Sequence, residues 1–486
     1  MELKIHAHAC LEVITTDTSL ICDPWLLGSA YWRSWWNYPP VKSDILEIIN
    51  PDYIYLTHLH WDHFHGPSLR KLGTDKTIII PKTPELRLLQ DLQGIGFKNI
   101  IELEHGESIQ LGRNLKITSY QFWPLLTDSA VIIESEDQVI FNSNDAKIMG
   151  LPLKQVLTNH PKIDFVLRSH SSANSKVCFD IVDYDESEIE LDNIERYSQD
   201  FADFARAVGA KYAIPFASNQ CCLHPETIKY NKYNNYAHQV RNYFQVNNIR
   251  TPECVVMAPG DSWNSESGFA INNNDIWYKN SELGIQQYLA TKATTIEKVV
   301  TKERKTKFKV NLAKRYAESI IKEIPWFLRA KFKNRPITII GYSDAETKGL
   351  YLDIYNQKYE IVEQWDLLNN PIQIYVNNAV LNDVWAKRHW NSLGVSKRLK
   401  IKIRKQDIGV YDSFNSLNNA LEVGSLQPKY IFTPRYILGY LKRWRELLLY
   451  MDIIFSQLRG QEFKYKKYLP AFGPDENHFE LPKSLS

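Results

Sequence analysis

The chain predicts an α/β fold in two parts, on three observations. Its 486 residues exceed what one module uses, at roughly 100–200 residues per domain. Up to about residue 275, short β-type runs alternate with helix-type segments. Beyond that the composition changes: between Lys298 and Arg335 stand thirteen Lys or Arg and three Glu, although the net charge of the chain is only +2. Residues 1–275 are therefore expected to form one domain, and 276–486 a smaller α+β domain with an extended tail.

The elements follow from local pattern. Leu3 to His8 and Leu11 to Thr15 read as short strands, and Leu20 to Cys22 runs into the turn Asp23-Pro24. Tyr53 to Leu56 is a strand opened by Pro51-Asp52. Thr77-Ile-Ile-Ile is a continuous apolar run closed by Pro81, the pattern of a strand buried on both faces. Lys116 to Tyr120, Ala130 to Glu134, Gln138 to Phe141 and Phe165 to Leu167 are further strands. Ile189, Leu191, Ile194, Tyr197, Phe201, Phe204 and Val208 recur at mostly helical spacing, Gly209 ends that helix, and Tyr212 to Pro215 is the next strand. In the second part the basic segment is expected to be helical as far as Pro325. Pro336 to Ile340, Leu350 to Ile354 and Lys400 to Arg404 are strands. Tyr436 to Leu458 is a helix with Leu438, Leu441, Trp444, Leu447 and Leu448 on one stripe, and 470–486 is the tail.

Composition excludes several classes. Apolar residues make up 44% and charged residues 23%, with 20 Gly and 22 Pro, so disorder and collagen-like repeats are ruled out. The small net charge gives no reason to expect nucleic-acid binding. The basic segment itself reads as a solvated helix face, with an anion-attracting surface as the alternative. No apolar run approaches the ~20 residues of a membrane span, and Met1 to His8 lacks a signal-peptide core. Six cysteines without a paired framework read as free thiols. A cytoplasmic protein is expected.

One segment carries chemistry: Thr57-His58-Leu59-His60-Trp61-Asp62-His63-Phe64-His65-Gly66, directly after a strand. Imidazole nitrogen and carboxylate oxygen are the donors that borderline divalent metals prefer. A loop leaving a strand can turn His58 and His60 toward one ion, and Asp62 and His63 toward a second about 3.5–4 Å away. Trp25, Trp32, Trp35, Trp36 and Trp61 are candidates for stacking around the mouth of such a site.

This HxHxDH run resembles the metal signature of the metallo-β-lactamase superfamily. His6-Ala-His8-Ala-Cys10, Asp23-Pro-Trp-Leu26, Trp32-Arg-Ser-Trp-Trp36, Asn142-Ser-Asn-Asp145, Ile214-Pro-Phe-Ala217 and His224-Pro225 resemble the CMP-N-acetylneuraminate hydroxylase branch. The resemblance covers most of residues 1–270, and Trp385-Ala-Lys and Trp390-Asn continue it weakly. It implies a four-layer αββα sandwich with metals at the edge where loops converge. It implies His58, His60, Asp62 and His63 as ligands and Asp145 as the bridging carboxylate. The chain departs from the pattern twice. Where the third-motif histidine should precede Asp128, it has Phe122-Trp-Pro-Leu125, leaving water, His105, His170 or Asp128 to complete the first ion. Where the last histidine should follow the late strand it has Pro215, and His224 is the nearest replacement, with Cys221 and Cys222 beside it. Asp23, and by analogy His8, are expected behind the site, accepting from or supporting a ligating imidazole. Asp62 and His170 are the catalytic candidates, His170 by substrate contact.

Two ions imply two chemistries. Bound to iron, the set fits an O2-dependent hydroxylase of a small nucleotide-sugar or amino-acid-like substrate. Bound to zinc, it fits a hydrolase of an ester, lactone, amide or phosphoester. A binding protein without catalysis is the third reading. Iron is favoured because the branch resemblance points to it. A Rieske cluster needs two separate Cys/His pairs, and Cys221, Cys222 and His224 share one histidine. Electrons are therefore expected from an external reductase or ferredoxin.

Overall fold

The structure is a computed structural model describing residues 1–122, 127–171, 173, 175–183, 194–272, 275–422, 432–449, 451 and 468–469. Two large sheets organise the first 270 residues. The first runs in the order Gly268–Ala270, Ser262–Asn264, Glu2–Ile5, Leu11–Ile14, Ser19–Cys22, Tyr53–Tyr55, Thr77–Pro81 and Ile100–Leu103. Its first three chain segments pair antiparallel, Leu3 opposite Val13 and Val13 opposite Leu20. From Ser19–Cys22 onward the neighbours are parallel. The apolar run Ile78-Ile79-Ile80 is buried throughout, as a parallel strand covered on both faces must be. The second sheet runs Glu253–Cys254, Tyr212–Pro215, Phe165–Arg168, Gln138–Asn144, Asp128–Ser135, Lys116–Phe122 and Glu107–Gln110.

Packing turns these sheets into four layers. Leu3, Leu11 and Ile79 of the first sheet share one core with Ile117, Val131 and Leu167 of the second, so the sheets face each other. Ile21, Ile54 and Ile78 point the other way, onto Leu88 and Leu92 of the helix Arg87–Ile95 and Leu69 of Gly66–Leu72. Phe141 and Val166 do the same for the second sheet, onto Leu153, Phe201 and Val240 of the helices Gly150–Asn159, Ile194–Val208 and Ala237–Val246. Each fully buried side chain such as Ile79 contributes about 1.5–3 kcal/mol. The result is an αββα sandwich.

A third sheet follows, ordered Phe179–Ile181, Leu399–Ile403, Ile372–Asn377, Ile337–Tyr342, Thr347–Asp353 and Lys358–Val362. Its first strand comes from the N-terminal part and lies parallel to Leu399–Ile403. Helices Val310–Glu323, Asn378–Lys387, Trp390–Ser396 and Ile408–Glu422 share the core of this sheet. The basic segment, expected to be helical as far as Pro325, forms two helices, Ser281–Arg304 and Val310–Glu323. Tertiary acceptors stabilise the break: Phe308 N–H donates to Glu346 Oε2 and Lys309 N–H to Asn382 Oδ1. The helix expected over Tyr436 to Leu458 is present as Pro434–Lys442 and, after a turn at Arg443, again over 444–449; Leu438, Leu441 and Trp444 of its stripe are exposed, while Tyr436 and Leu449 pack inward. Residues 450 and 452–458 of that expected helix, and the expected tail 470–486, lie outside the described residues. Among the described residues no helix is long and apolar enough to cross a membrane.

Candidate metal centre

Strand direction brings the chemistry together. Glu2–Ile5, Ser19–Cys22 and Tyr53–Tyr55 run the same way, so the loops leaving their C-terminal ends emerge at one edge. Gln138–Asn144, Phe165–Arg168 and Tyr212–Pro215 are likewise mutually parallel. His8, Asp23, the HxHxDH loop, Asp145 and His170 all lie just past one of these strand ends. In open α/β sheets that edge is where sites form.

Two groups of three donors meet there: His58, His60 and Asp145, and His8, Asp62 and His63. His58 Nε2 lies 2.8 Å from His60 Nδ1 and 3.5 Å from Asp145 Oδ2. His8 Nε2 lies 3.0 Å from Asp62 Oδ2, which is 3.6 Å from His63 Nε2. Asp145 links the two groups, its Oδ1 reaching His63 Nε2 at 3.6 Å. A divalent ion with ligands at about 2.0–2.2 Å needs donors about 2.8–3.6 Å apart along the edges of its polyhedron. The observed spacings fall in that interval. His63 Nε2 and Asp145 Oδ1 are also buried without a hydrogen-bond partner among the described residues, a condition that coordination relieves. The donor set fits a pair of metal ions.

The imidazoles are held with the correct nitrogen inward. Asp23 accepts from Thr57 N–H at 2.9 Å, from Thr57 Oγ1–H at 2.8 Å and from His63 Nδ1–H at 2.8 Å. Having given its proton to Asp23, Thr57 Oγ1 can only accept from His58 Nδ1–H, at 2.9 Å. Both rings then turn Nε2 toward the cluster, the nitrogen an ion would take in place of a proton. Asp23 thus stands where it was expected, behind the site.

Electrostatics favour positive charge here. Burial opposes ionisation of Asp145, yet the His58 and His63 imidazoles overcome it and hold the carboxyl well below its usual range. Asp62 is lowered as well, against burial, by His63 and His8. His63 moves the other way: burial depresses it, but Asp145, Asp62 and Asp23 raise it to about 10. Tyr31 adds a neutral donor, its phenol giving a 2.5 Å hydrogen bond to Asp62 Oδ1. Burial first, then Asp62, push that phenol far up, so it stays protonated. Tyr31, Trp32 and Arg33 all have left-handed backbones, at φ 51°, 52° and 65°. Such a run costs on the order of 1–2 kcal/mol per residue, and it aims Tyr31 at Asp62. A cavity of about 190 Å³ opens on the cluster, lined by Tyr31, Trp35, Lys147, Ser169, Ser218 and Gln220 among others.

Two expected residues are not brought to this cluster. His224 is buried elsewhere, its Nε2–H donating to Glu303 Oε2 at 3.1 Å, while Arg398 binds the same carboxylate at 2.8 Å. Its place as a ligand is corrected by this network, which uses its donor nitrogen. His8 stands in the second group instead. His170 is also corrected: Ser169 and Ser171 line the cavity, but His170 packs behind it. Burial lowers its pKa to about 3, helped by His8 and opposed by the Phe216 backbone. His105 is likewise committed, to Gln155 at 2.9 Å and to Gln121 N–H at 3.0 Å. Asp128 is close enough for its charge to act upward on both His58 and His60. Of the tryptophans, Trp35 lines the cavity, Trp61 stacks on Tyr31, and Trp36 packs on Tyr288 away from it.

Sequence alone gives His8 only a supporting place and passes over Tyr31. A signal for His8 exists: it comes after a strand parallel to the one that feeds the HxHxDH loop. The strand stops at Ile5, and the turn from His6 to Cys10, closed by His6 N–H to Cys10 O at 2.9 Å, swings His8 into the site.

The four layers have the metallo-β-lactamase fold, and the loops at one edge carry a candidate His/Asp metal site. The chain's sequence is similar to part of two kinds of protein. Over 168 residues the chain is 34% identical to the cytidine monophosphate-N-acetylneuraminic acid hydroxylase of Gorilla gorilla gorilla, covering 32% of this chain and 28% of that protein. It is 26% identical over 237 residues to a Mycolicibacterium smegmatis protein named as a Rieske 2Fe-2S iron-sulfur protein, covering 46% of this chain and 45% of the other. The chain thus matches less than half the length of these curated relatives. Among solved structures, the isothiocyanate hydrolase from Delia radicum gut bacteria aligns at TM-score 0.41 and 14% identity, over 56% of this chain and 100% of that one. No protein-family model matches the chain.

Proposed function

We propose that the chain is a di-iron, O2-dependent hydroxylase of a small polar substrate, receiving its electrons from a separate protein. One observation carries a metal-pair reading: two groups of two imidazoles and one carboxylate lie side by side, joined by Asp145. Such a set serves non-haem iron oxygenases and zinc hydrolases alike, and the resemblance to the hydroxylase branch favours iron. His58, His60 and Asp145 would hold one ion, and His8, His63 and Asp62 the other, with Asp145 shared. The names of the sequence relatives, a hydroxylase and an iron–sulfur protein, agree with redox chemistry.

When bound, the metal pair supplies activation of dioxygen. The chain's own residues supply the rest. Asp23 and Thr57 fix the tautomers of His58 and His63, so the donors are preorganised. Tyr31 holds Asp62 in one orientation by its hydrogen bond to Oδ1 and keeps its proton there. Trp35 and Tyr31 wall the cavity, while Ser169, Ser218 and Gln220 offer hydrogen bonds to a polar substrate. Lys147 at the same wall suits a substrate bearing an anionic group. Cys221 and Cys222 are buried thiols and His224 is bonded to Glu303, so these three do not form an electron-entry cluster.

The test is metal analysis of protein grown in metal-defined medium, with a search for an Fe(III) absorption band and for O2 uptake on adding a reductant. Iron with reductant-dependent uptake supports the proposal. Two zinc ions, no iron and hydrolysis of ester or phosphoester probes would establish the hydrolase reading in its place.

A further inference from the structure

We infer that Asn391, from the C-terminal part of the chain, is a positioning residue for the metal centre, setting which nitrogen of His60 faces the ions. The inference rests on the metal-centre reading and adds to it a role for the third-sheet unit.

His58 and His63 each have their outward nitrogen tied down by the sandwich itself, through Thr57 and Asp23. His60 does not. Its inward atom is Nδ1, facing His58 Nε2 at 2.8 Å, and its outward atom is Nε2. The side-chain amide of Asn391 lies 2.7 Å from that Nε2. A histidine that ligates through one nitrogen needs an acceptor for the proton on the other. For His60 the group within reach comes from a residue 331 positions away.

The backbone that carries the amide is held in place. Asn391 N–H donates to Glu422 Oε2 at 2.8 Å. The nearby His389 packs its ring edge-on against Trp61, centroids 4.9 Å apart, in the middle of the HxHxDH loop. At the other end of the helix Trp390–Ser396, the Ser396 carbonyl accepts from Ser34 Oγ at 2.7 Å, and Val395 reaches the cavity wall. The helix is therefore laid across the site by contacts at both ends.

An amide is suited to this place because it can present either of two faces. Without metal, His60 Nδ1–H donates to His58 Nε2, and the Asn391 Nδ2–H donates to the bare His60 Nε2. With metal on Nδ1, the proton resides on Nε2, and the amide answers by turning its Oδ1 to accept it. Aspartate would favour only the second arrangement, and leucine neither.

Cobalt(II) titration of the full chain, followed by visible absorption, tests this on the wild type, Asn391→Leu and Asn391→Asp, with thermal unfolding measured in parallel. Asn391→Leu should bind its weaker cobalt equivalent 10–100-fold less tightly than the wild type does. Asn391→Asp should bind at least as tightly as wild type, with the exchangeable His60 Nε2–H resonance retained in the hyperfine-shifted proton spectrum. Unchanged affinity in Asn391→Leu overturns the inference. So does equal weakening in both variants with an equal loss of stability, which would mark a packing role. A wild-type chain that takes up no cobalt overturns the metal-centre reading beneath it.

Discussion

Replacing His224 by alanine separates a ligand from a structural residue. In the structure His224 Nε2–H donates to Glu303 Oε2 at 3.1 Å, and its Nδ1 accepts Glu226 N–H at 3.2 Å. The first bond goes to a carboxylate and is worth about 1.5–3 kcal/mol; losing the second leaves a backbone donor unsatisfied at about 1–3 kcal/mol. The variant should therefore lose about 3–5 kcal/mol. For a chain of 486 residues the unfolding entropy is on the order of 1 kcal/mol per kelvin, so Tm should fall by roughly 3–5 °C. Calorimetry gives that shift, and elemental analysis of the same sample should give the wild-type metal content. His224→Gln, which can still donate, should recover part of the loss. A drop of one metal equivalent with Tm unchanged would refute the reasoning and restore His224 as a ligand.

Three further outcomes rest on the same geometry. Arg398→Met should cost about 3–5 kcal/mol, because Arg398 is fully buried and its loss strands the Glu303 and Glu226 carboxylates; adding Glu303→Leu should recover part of it, as measured by denaturant unfolding. His8→Ala should lose one metal equivalent and keep the other, whereas His65→Ala, whose ring is bonded to Ser68, should keep both, by elemental analysis. His105 should report on pH. Burial first, then Arg443, lower its folded pKa to about 3, so an unfolded chain takes up its proton near the ordinary value of about 6.5 while the folded one does not. Its contribution is full above that ordinary value and is lost as pH falls toward 3, by about 1.4 kcal/mol per pH unit. His105→Gln should make the stability curve flatter by that slope between pH 6 and 4, and an unchanged slope would contradict it.

The parts of this molecule that are legible in sequence are those governed by neighbours along the chain. Ile78 to Ile80 read as a buried parallel strand because the run is continuous, and Leu399, Ile401 and Ile403 read as a half-buried strand because Lys400 alternates with them. His58, His60, Asp62 and His63 read as a cluster because one loop carries all four. Where the site depends on distant segments, proximity in sequence misleads. His224 is the nearest histidine to the expected place, yet Glu303 and Arg398, 79 and 174 positions further on, claim it (398 − 224 = 174). His8 lies across the sheet, and only strand order and direction show that it arrives at the same edge. His170 sits at the right strand end but is packed, since burial outweighs the Phe216 backbone contact and keeps it neutral. The helix over the site, Trp390–Ser396, carries no metal-ligand pattern, so Trp390-Asn391 reads only as a weak landmark of the resemblance and not as part of the site.

The most direct measurement is anomalous diffraction from crystals of the metal-loaded chain at the absorption edge of the bound metal. Two peaks about 3.5–4 Å apart are predicted, one against His58 Nε2 and His60 Nδ1, the other against His8 Nε2, His63 Nε2 and Asp62, with Asp145 touching both. A single peak, or a peak at His224 with His8 left uncoordinated, would contradict the account.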